Sequence, residues 1–291
     1  HALNLADTVE MMKELRKIGL SSRGGGGNTV RNITGAFDTG VDPEELFSVS
    51  PYIKALTTRM IAEKDSWGLP RKFKIAFSGT FRDKGLATVA DLGFIAKVDE
   101  RGQKGFSVYI AGGMGLAPKT ALLLYPFIQH DQVYNITKAT KTLYHKYGNR
   151  KDKNAARLRF LLASLGRQEF LRRFETEFAE VIKKNYPPLL LEPERKIRKG
   201  SLEVPLFLGD LTLSKAKSLA LIMGDYGDDC VRVTPTQNLF LRDLPEDEVS
   251  ELRDRLTKEG ILKDLPVLMK RATACAGAGT CKLGICLSRG L

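Results

Sequence analysis

A proline-bearing, charged segment divides this 291-residue chain into two parts with different patterns. It reads "PPLLLEPERKIRKG" at residues 187–200. After it, two strand-like stretches, "LEVPLFLG" and "CVRVTPTQNLFLRD", alternate with two helix-like stretches, "LSKAKSLALIMGDYG" and "DEVSELRDRLTKEG". Strand, helix, strand and helix in this order predict a compact α/β sandwich of the split βαβ kind over residues 201–262.

The longer part before this connector is predicted to mix helices and strands. Residues 4–18 have helical apolar spacing and stop at Gly19, a residue type that suits a helix end. The segment "RKFKIAFSG" at 71–79 alternates Phe and Ile with Lys, which predicts a strand with one apolar and one mostly basic face. A hairpin is expected around 99–105, and amphipathic helices are expected over 131–185.

A short internal echo suggests duplication. The segments "LRKIGL" at 15–20 and "LTKEGI" at 256–261 both end a predicted helix, and a stretch rich in small residues follows each of them. If the echo is a true repeat, the chain opens at the tail of one copy and closes at the head of the next. Coincidence over six positions is the other explanation.

Composition limits the classes of function. The chain has 46 Lys and Arg against 34 Asp and Glu, a net charge of +12, which favours binding of something negative or a simply solvated basic surface. No stretch approaches the ~20 apolar residues of a membrane span, and the first residues do not resemble a signal peptide. We therefore expect a soluble, cytoplasmic protein without a membrane partner.

Three of the four cysteines lie close to the end of the chain. Cys275 and Cys281 are spaced more widely than the cysteines of most structural zinc loops, and no His lies near them. The small residues between them would let backbone amides approach thiolates, as iron–sulfur ligation requires. Spacing alone does not distinguish cluster ligands from small apolar cysteines that line a helix turn. Cys230 precedes a predicted strand and is expected to be a buried thiol.

Two glycine-rich segments contain or precede basic residues. "AGGMGLAPKT" at 111–120 fails as a phosphate-binding P-loop because Pro118, not Gly, precedes Lys119. The segment "SSRGGGGNTVRNITG" at 21–35 contains two arginines and cannot be helical. Together with the arginine and lysines of 71–74, these arginines could bind phosphate or carboxylate groups, or they could be solvated.

Taken together, "NTVRNITG", "LPRKFKIAFSG", "AGGMG", "KYGNRKDKNAARLRFLLASLG", "VRVTPTQNLFL" and the Cys-x5-Cys pair resemble the sirohaem sulfite and nitrite reductase family, in order and over most of the chain. The resemblance implies an α+β fold with ferredoxin-like, split βαβ halves flanking mixed α/β domains, internally duplicated. It also implies sirohaem coupled to a [4Fe–4S] cluster and six-electron reduction of sulfite to sulfide or of nitrite to ammonia. A ferredoxin or a flavoprotein would donate the electrons.

The resemblance also assigns roles to residues of this chain. Arg31, Lys72 and Lys74 correspond to basic residues that contact sirohaem and substrate, and we assign them as catalytic. Arg23 and Asn32 join them as cofactor-binding residues. Cys275 and Cys281 correspond to the first pair of cluster ligands, whereas Cys286 has no counterpart that we can assign.

Four segments are expected from the resemblance: the end of a first ferredoxin-like half (1–42), a first sirohaem and cluster domain (43–200), a second ferredoxin-like half (201–265) and the start of a second cluster-binding domain (266–291). The first half's cofactor-contacting strands and a second cysteine pair, Cys-x3-Cys, would then lie outside the 291 residues. On this interpretation the chain is an incomplete and by itself inactive portion.

Two hypotheses compete with the reductase. A basic ferredoxin-like nucleic-acid-binding protein would need stacking aromatics on its sheet, and "CVRVTPTQNLFL" offers only Phe240, so no nucleic-acid partner is expected. A non-catalytic scaffold held by a structural metal is the other. The sequence does not decide between sulfite and nitrite, because both anions require the same basic pocket.

Overall fold

The computed structural model describes residues 4–115, 117–193, 196–281 and 284–289. Within these ranges the chain forms two compact units. The larger unit contains residues 4–39 and 44–193, and the smaller unit contains 40–43 and 196–289. The chain passes from one to the other inside the predicted connector. The domain boundaries expected at residues 42 and 265 stay predictions.

A mixed sheet forms the centre of the larger unit. Its described strands are β1 (Val30–Gly35), β2 (Phe73–Ser78), β3 (Leu92–Val98), β4 (Lys104–Ile110) and β5 (Leu122–Gln129). They lie side by side in chain order. The first three run parallel, and β3, β4 and β5 alternate in direction. The hairpin predicted around residues 99–105 is confirmed as the connection from β3 to β4.

Helices cover one face of this sheet. The described helices of the larger unit are α1 (Leu5–Lys17), α2 (Ser50–Ala62), α3 (Val133–Tyr147), α4 (Leu158–Leu165) and α5 (Arg167–Lys183). Side chains of α2, α3, α4 and α5 form one buried apolar cluster with alternate residues of β2, β3 and β4. This cluster is the hydrophobic core of the unit.

Strand β2 shows how the sequence pattern divides the two faces. Phe73, Ile75 and Phe77 are buried in the core that faces the helices, as the alternation predicts. The opposite face is basic only at its start, where Lys74 is exposed. Further along, Ala76 packs with residues of the loop before β3. The expectation of a mostly basic second face is therefore wrong beyond Lys74, because a loop covers that part of the sheet.

The two echoed segments end their helices in the same way. After α1, the Leu20 N–H donates to the Leu15 carbonyl, and Gly19 has a φ of +76°. After α7 (Val249–Lys258), the Ile261 N–H donates to the Leu256 carbonyl, and the intervening Gly260 has a φ of +61°. This is the Schellman cap, in which glycine supplies the left-handed residue. The echo therefore corresponds to a shared local structure.

The smaller unit contains a three-stranded sheet with its own core. Strands β6 (Gly200–Val204) and β7 (Val231–Val233) both pair antiparallel with β8 (Leu239–Leu244), which lies between them. Hence β6 and β7 run parallel, and α6 (Leu213–Gly224) connects them as a split βαβ unit. Apolar residues of α6 and α7 pack with this sheet, so the split βαβ arrangement predicted for this part of the chain is confirmed.

Two details of this half-domain differ from the sequence expectation. "CVRVTPTQNLFLRD" is a hairpin rather than one strand, because the Thr234 N–H bonds to the Asn238 carbonyl and reverses the chain. "LEVPLFLG" leaves the sheet after Val204, where Pro205 lacks an N–H to continue the ladder.

A short α8 (Val267–Arg271) follows α7. Among the described residues, no helix is long and apolar enough to span a membrane.

The close contact at Gly93 gives a test of the larger unit. A Cβ on Gly93 would lie 2.1 Å from the Ala87 carbonyl oxygen, which is backbone and cannot rotate away. We expect Gly93→Ala to lower the free energy of unfolding by about 1–3 kcal/mol, the usual cost of overpacking. Urea unfolding followed by the fluorescence of Trp67, the only tryptophan of the chain, would measure it.

Gly26→Ala is the matched control, because an added Cβ there meets no atom within 4 Å. Replacing glycine by alanine within a strand normally adds stability. Equal or greater stability of the Gly93→Ala protein would therefore contradict the close packing described for β3.

Candidate functional site

A β-bulge in β1 creates the local geometry of the candidate site. Between two regular pairs with β2, the two residues Arg31 and Asn32 oppose the single residue Lys74. Bulges re-aim side chains and are common beside active sites. The bulge places Arg31, a predicted site residue, opposite the predicted Lys74, although the two are more than forty residues apart in sequence.

Several cations converge where β2 begins. Burial lowers the pKa of Lys72, and the positive charges of four neighbours lower it further: Arg157, Lys74, Arg31 and Arg71. These five residues are called the basic cluster from here on. Like charges oppose the protonated form of a lysine, so all four neighbours act on Lys72 in the same direction.

Buried groups support the basic cluster from the protein side. The Asp91 carboxylate accepts hydrogen bonds from Nη2 and Nε of Arg157, at 2.7 and 3.2 Å, and from the Lys74 N–H at 2.8 Å. The Tyr144 hydroxyl donates to the Ala156 carbonyl, next to Arg157, at 2.8 Å. Burial raises the pKa of Tyr144, and the negative charge of Asp91 adds to the rise, so the phenol stays a donor.

Arg31 also fixes the glycine-rich loop that precedes β1. Its guanidinium donates to the Gly25 carbonyl at 2.9 Å and to the Gly27 carbonyl at 3.1 Å. Positive φ values at Gly24 and Gly27 allow the loop to curl around this side chain. Loop and strand therefore form one structure around a half-buried arginine.

A cleft of about 380 Å³ opens beside this loop. Its wall includes the predicted cofactor-binding residues Arg23, Arg31 and Asn32, whereas Lys72 and Lys74 are not part of that wall. The Arg23 guanidinium lies 4.7 Å from the centre of the Trp67 ring, a cation–π contact. The predicted site residues are thus divided between the cleft and the basic cluster, and Arg31 belongs to both.

A partly buried ion-pair network adjoins the cleft. Lys141, fully buried on α3, bonds Glu63, Asp65 and the Ser66 hydroxyl. Lys138 bonds the same two carboxylates. Burial raises the pKa of Asp65, but the hydrogen bonds from both lysines outweigh it and lower the pKa to about 2. The network fixes the turn that ends at Ser66, which lines the cleft with Trp67.

The two ends of the second glycine-rich segment pair with each other. Gly113 and Lys119 exchange backbone hydrogen bonds of 2.9 Å. Arg159 reaches this segment, donating from Nε to the Ala117 carbonyl at 3.1 Å. This agrees with the rejection of a P-loop, which precedes a helix and keeps its amides free for phosphate.

In the smaller unit, Cys275 and Cys281 flank a short turn at Gly277–Gly279. Hydrogen bonds from the Ser288 hydroxyl and then from the Gly277 N–H lower the pKa of Cys275. One of the small residues between the two cysteines thus favours the thiolate form of Cys275 through its backbone N–H. Both cysteines are exposed, as is Cys286, whose sulfur lies 3.6 Å from the same Ser288 hydroxyl. Cys230 is buried, as predicted.

The segment leading to Cys275 is anchored by Gln237 of the β7–β8 turn. The Gln237 amide donates to the Ala274 carbonyl and accepts from the Ala274 N–H, both at 2.9 Å. In chemistry and exposure, Cys275 and Cys281 fit two of the four thiolates that a [4Fe–4S] cluster takes. No group of three or more His, Cys, Asp or Glu side chains within the described ranges is arranged to hold a metal ion.

The site residues assigned from the sequence did not include Arg71, Arg157 or Asp91. Arg71 directly precedes Lys72 and was considered only as one of several possible anion-binding residues. Arg157 directly precedes the mostly apolar helix α4, and Asp91 is a lone acid before a mostly apolar strand. Such isolated charges usually have partners when they are buried, and this signal could have suggested the pair.

The sequence matches two protein families. Residues 26–182 match the nitrite and sulphite reductase 4Fe-4S domain, and residues 196–259 match the nitrite/sulfite reductase ferredoxin-like half domain. The chain belongs to the nitrite and sulfite reductase family. The first of these matches includes the bulge, the whole basic cluster and the part of the cleft wall from Thr29 onward. It contains no cysteine, since all four lie between residues 230 and 286.

Named relatives cover the chain almost completely. It is 28% identical to the assimilatory ferredoxin-dependent nitrite reductase of Haloferax mediterranei, covering 98% of this chain and 53% of the relative. Identity to sulfite reductase [ferredoxin] 1 of Mycolicibacterium paratuberculosis is also 28%, with 99% and 53% covered. The ferredoxin–nitrite reductase of Synechococcus elongatus is 27% identical, with 97% and 58% covered. The chain spans about half the length of these relatives.

A solved structure shares the fold. The Mycobacterium tuberculosis NirA protein superimposes with a TM-score of 0.81 at 24% identity, over 98% of this chain and 53% of that one. This match and the ferredoxin-like family confirm the predicted α+β class. The comparisons give no support to the nucleic-acid-binding alternative.

The ion-pair network at the cleft predicts a dependence of stability on pH. The pKa of Asp65 is lowered from 3.8 to about 2, so its ion pairs stabilise the unit above about pH 4 and are lost as the pH falls toward 2. We expect Asp65→Asn to lower the unfolding free energy at pH 6 by about 1 kcal/mol, since solvent screens this partly exposed carboxylate. Urea unfolding followed by Trp67 fluorescence from pH 6 to 2 measures both effects.

The variant should also lose less stability than the wild type between pH 4 and 2. Glu100→Gln, an exposed turn residue, is the control and should keep the wild-type profile. Identical pH profiles for wild type and Asp65→Asn would show that the network does not bind Asp65 in its charged form.

Proposed function

We propose that the protein reduces sulfite to sulfide or nitrite to ammonia at a sirohaem coupled to a [4Fe–4S] cluster. The basic cluster at the β1 bulge is the observation that carries the proposal. Five cations around one strand end are costly unless they serve a negative ligand. The relatives, which are named as nitrite and sulfite reductases, support the same conclusion.

The cations have two tasks in this proposal. Sirohaem carries several carboxylates and both substrates are anions, so Arg31, Lys72 and Lys74 bind them through charge-assisted hydrogen bonds. Arg23 and Asn32, in the cleft wall, hold further polar groups of the cofactor. Cys275 and Cys281 provide thiolates to the cluster. When bound, sirohaem and the cluster supply the electron chemistry.

Lys72 has the further task of moving protons. Each reduction consumes protons as bonds to oxygen break. Burial and the neighbouring cations lower the pKa of Lys72 from its ordinary value of 10.5, which makes its ammonium a better donor near neutral pH. Lys74, exposed opposite the bulge, orients the anion as a point charge.

The electron donor is proposed to be a ferredoxin or a flavoprotein. Several relatives are named as ferredoxin-dependent. The net charge of +12 suits an acidic donor, because complementary charges speed encounter. We also propose a cytoplasmic location, which agrees with four cysteines that form no disulfide.

Replacing Lys72 tests the proposed function. The protein is purified without oxygen, together with any sequence that flanks residues 1–291, and assayed with both anions and a chemically reduced viologen dye. We expect Lys72→Met to lower kcat about 100-fold or more, the lower range for a lost general acid. Its unfolding free energy should change by less than about 0.5 kcal/mol, because one half-exposed lysine contributes little to folding.

Lys97→Met, an exposed lysine of β3 outside the basic cluster, is the matched control and should keep wild-type rates. Comparing initial rates with the two anions decides which is the better substrate. A Lys72→Met enzyme with full cofactor content and wild-type turnover would exclude Lys72 from catalysis. A wild-type enzyme that reduces neither anion would exclude the proposed function.

A further inference from the structure

Asp91 occupies an unusual place for a carboxylate. It is fully buried and directly precedes β3. Its carboxylate bonds two segments that carry residues of the basic cluster. One segment is the start of β2, through the Lys74 N–H at 2.8 Å. The other is the start of α4, through the two bonds from Arg157 at 2.7 and 3.2 Å. One side chain thus joins three elements that are distant in sequence.

Stability alone does not account for this pair. Two buried charges lose their hydration, and apolar residues of similar volume are often equally stabilising or better in the same position. The Arg157 side chain is only 11% exposed, so it too is largely desolvated. A buried pair that stability does not require indicates a task that needs the charges themselves or the geometry they impose.

That geometry concerns Lys72 and Lys74. Arg157 and the Lys74 N–H bind the same Asp91 carboxylate, and Lys72 lies two residues before Lys74. The charge of Arg157 also lowers the pKa of Lys72, after burial and ahead of the other cations. Free cations so close together would turn away from one another. Two parallel hydrogen bonds hold the planar guanidinium in one orientation, whereas one hydrogen bond would let it rotate. A lysine in this position would be a point charge without a fixed orientation. The Lys74 backbone bond fixes the beginning of β2 in the same way.

We propose that Asp91 is a positioning residue, which holds Arg157 and the start of β2 so that the cations of the basic cluster converge on one bound anion. Asp91 does not itself touch the anion, because its side chain is fully buried and its negative charge would repel an anion. The net charge of the cluster stays strongly positive after one carboxylate is counted. This inference rests on the proposed function, because it takes sulfite or nitrite as the anion.

The test compares Asp91→Asn with Thr137→Val in the anaerobically purified protein. Asparagine keeps the shape and one acceptor, but it loses the charge and the bidentate contact. We expect KM for sulfite or nitrite to rise about 10- to 100-fold, the range for residues that orient a binding group. Thr137 is fully buried on α3, and its hydroxyl donates to the Val133 carbonyl at 2.8 Å. Thr137→Val removes this buried hydrogen bond without a charge and should change KM less than about twofold.

A double-variant cycle separates positioning from a merely structural role. If Asp91 acts through Arg157, adding Asp91→Asn to Arg157→Leu should raise KM by less than about twofold more. Should Asp91→Asn not fold, Asp91→Glu replaces it, because the longer side chain displaces the guanidinium in a fully buried space.

An active, folded Asp91 variant with the wild-type KM would overturn the inference and leave the proposed function intact. Additive effects of Asp91→Asn and Arg157→Leu on KM would also overturn it. A wild-type protein that neither binds nor reduces sulfite or nitrite would instead defeat the proposed function.

Discussion

A buried ion pair between Asp91 and Arg157 ties together the parts of the larger unit on which the candidate site depends. Removing one partner of such a pair typically costs about 3–5 kcal/mol, because the other charge is left buried and unpaired. Together with the Lys74 N–H, the pair joins the starts of β2, β3 and α4. Asp91 and Arg157 are 66 residues apart in the sequence. Arg71, Lys72 and Lys74 then lie at a fixed strand end, beside a guanidinium that cannot turn away.

Strand β2 serves the fold and the site at the same time. Its phenylalanines and Ile75 build the core under the helices, and this burial fixes the register of the strand. Lys74 is consequently held on the opposite face, where the β1 bulge supplies Arg31 and Asn32. A shift of one residue would bury Lys74 and expose the aromatic rings. The packing of the core therefore holds Lys74 on the face of the sheet opposite the helices.

Local patterns predicted much of this arrangement, and non-local contacts account for what they missed. The alternation in "RKFKIAFSG" and the glycine caps after Leu15 and Leu256 depend on neighbours in sequence, so both were predictable. The bulge, the Asp91–Arg157 pair and the Gln237 anchor to Ala274 join distant segments and leave no periodic signal. The resemblance to known reductases supplied Lys72, Lys74 and Arg31, but not the buried groups that support them.

The most direct test of the basic cluster as the site of sirohaem and anion binding is a visible absorption spectrum. The protein, together with any sequence that flanks residues 1–291, is purified without oxygen or reconstituted with iron, sulfide and sirohaem, and it is measured before and after addition of sulfite or nitrite. The account predicts bands of sirohaem and of an iron–sulfur cluster, with the sirohaem bands shifting when one of the anions binds. A spectrum without sirohaem bands after reconstitution, or bands that neither anion changes, would contradict it.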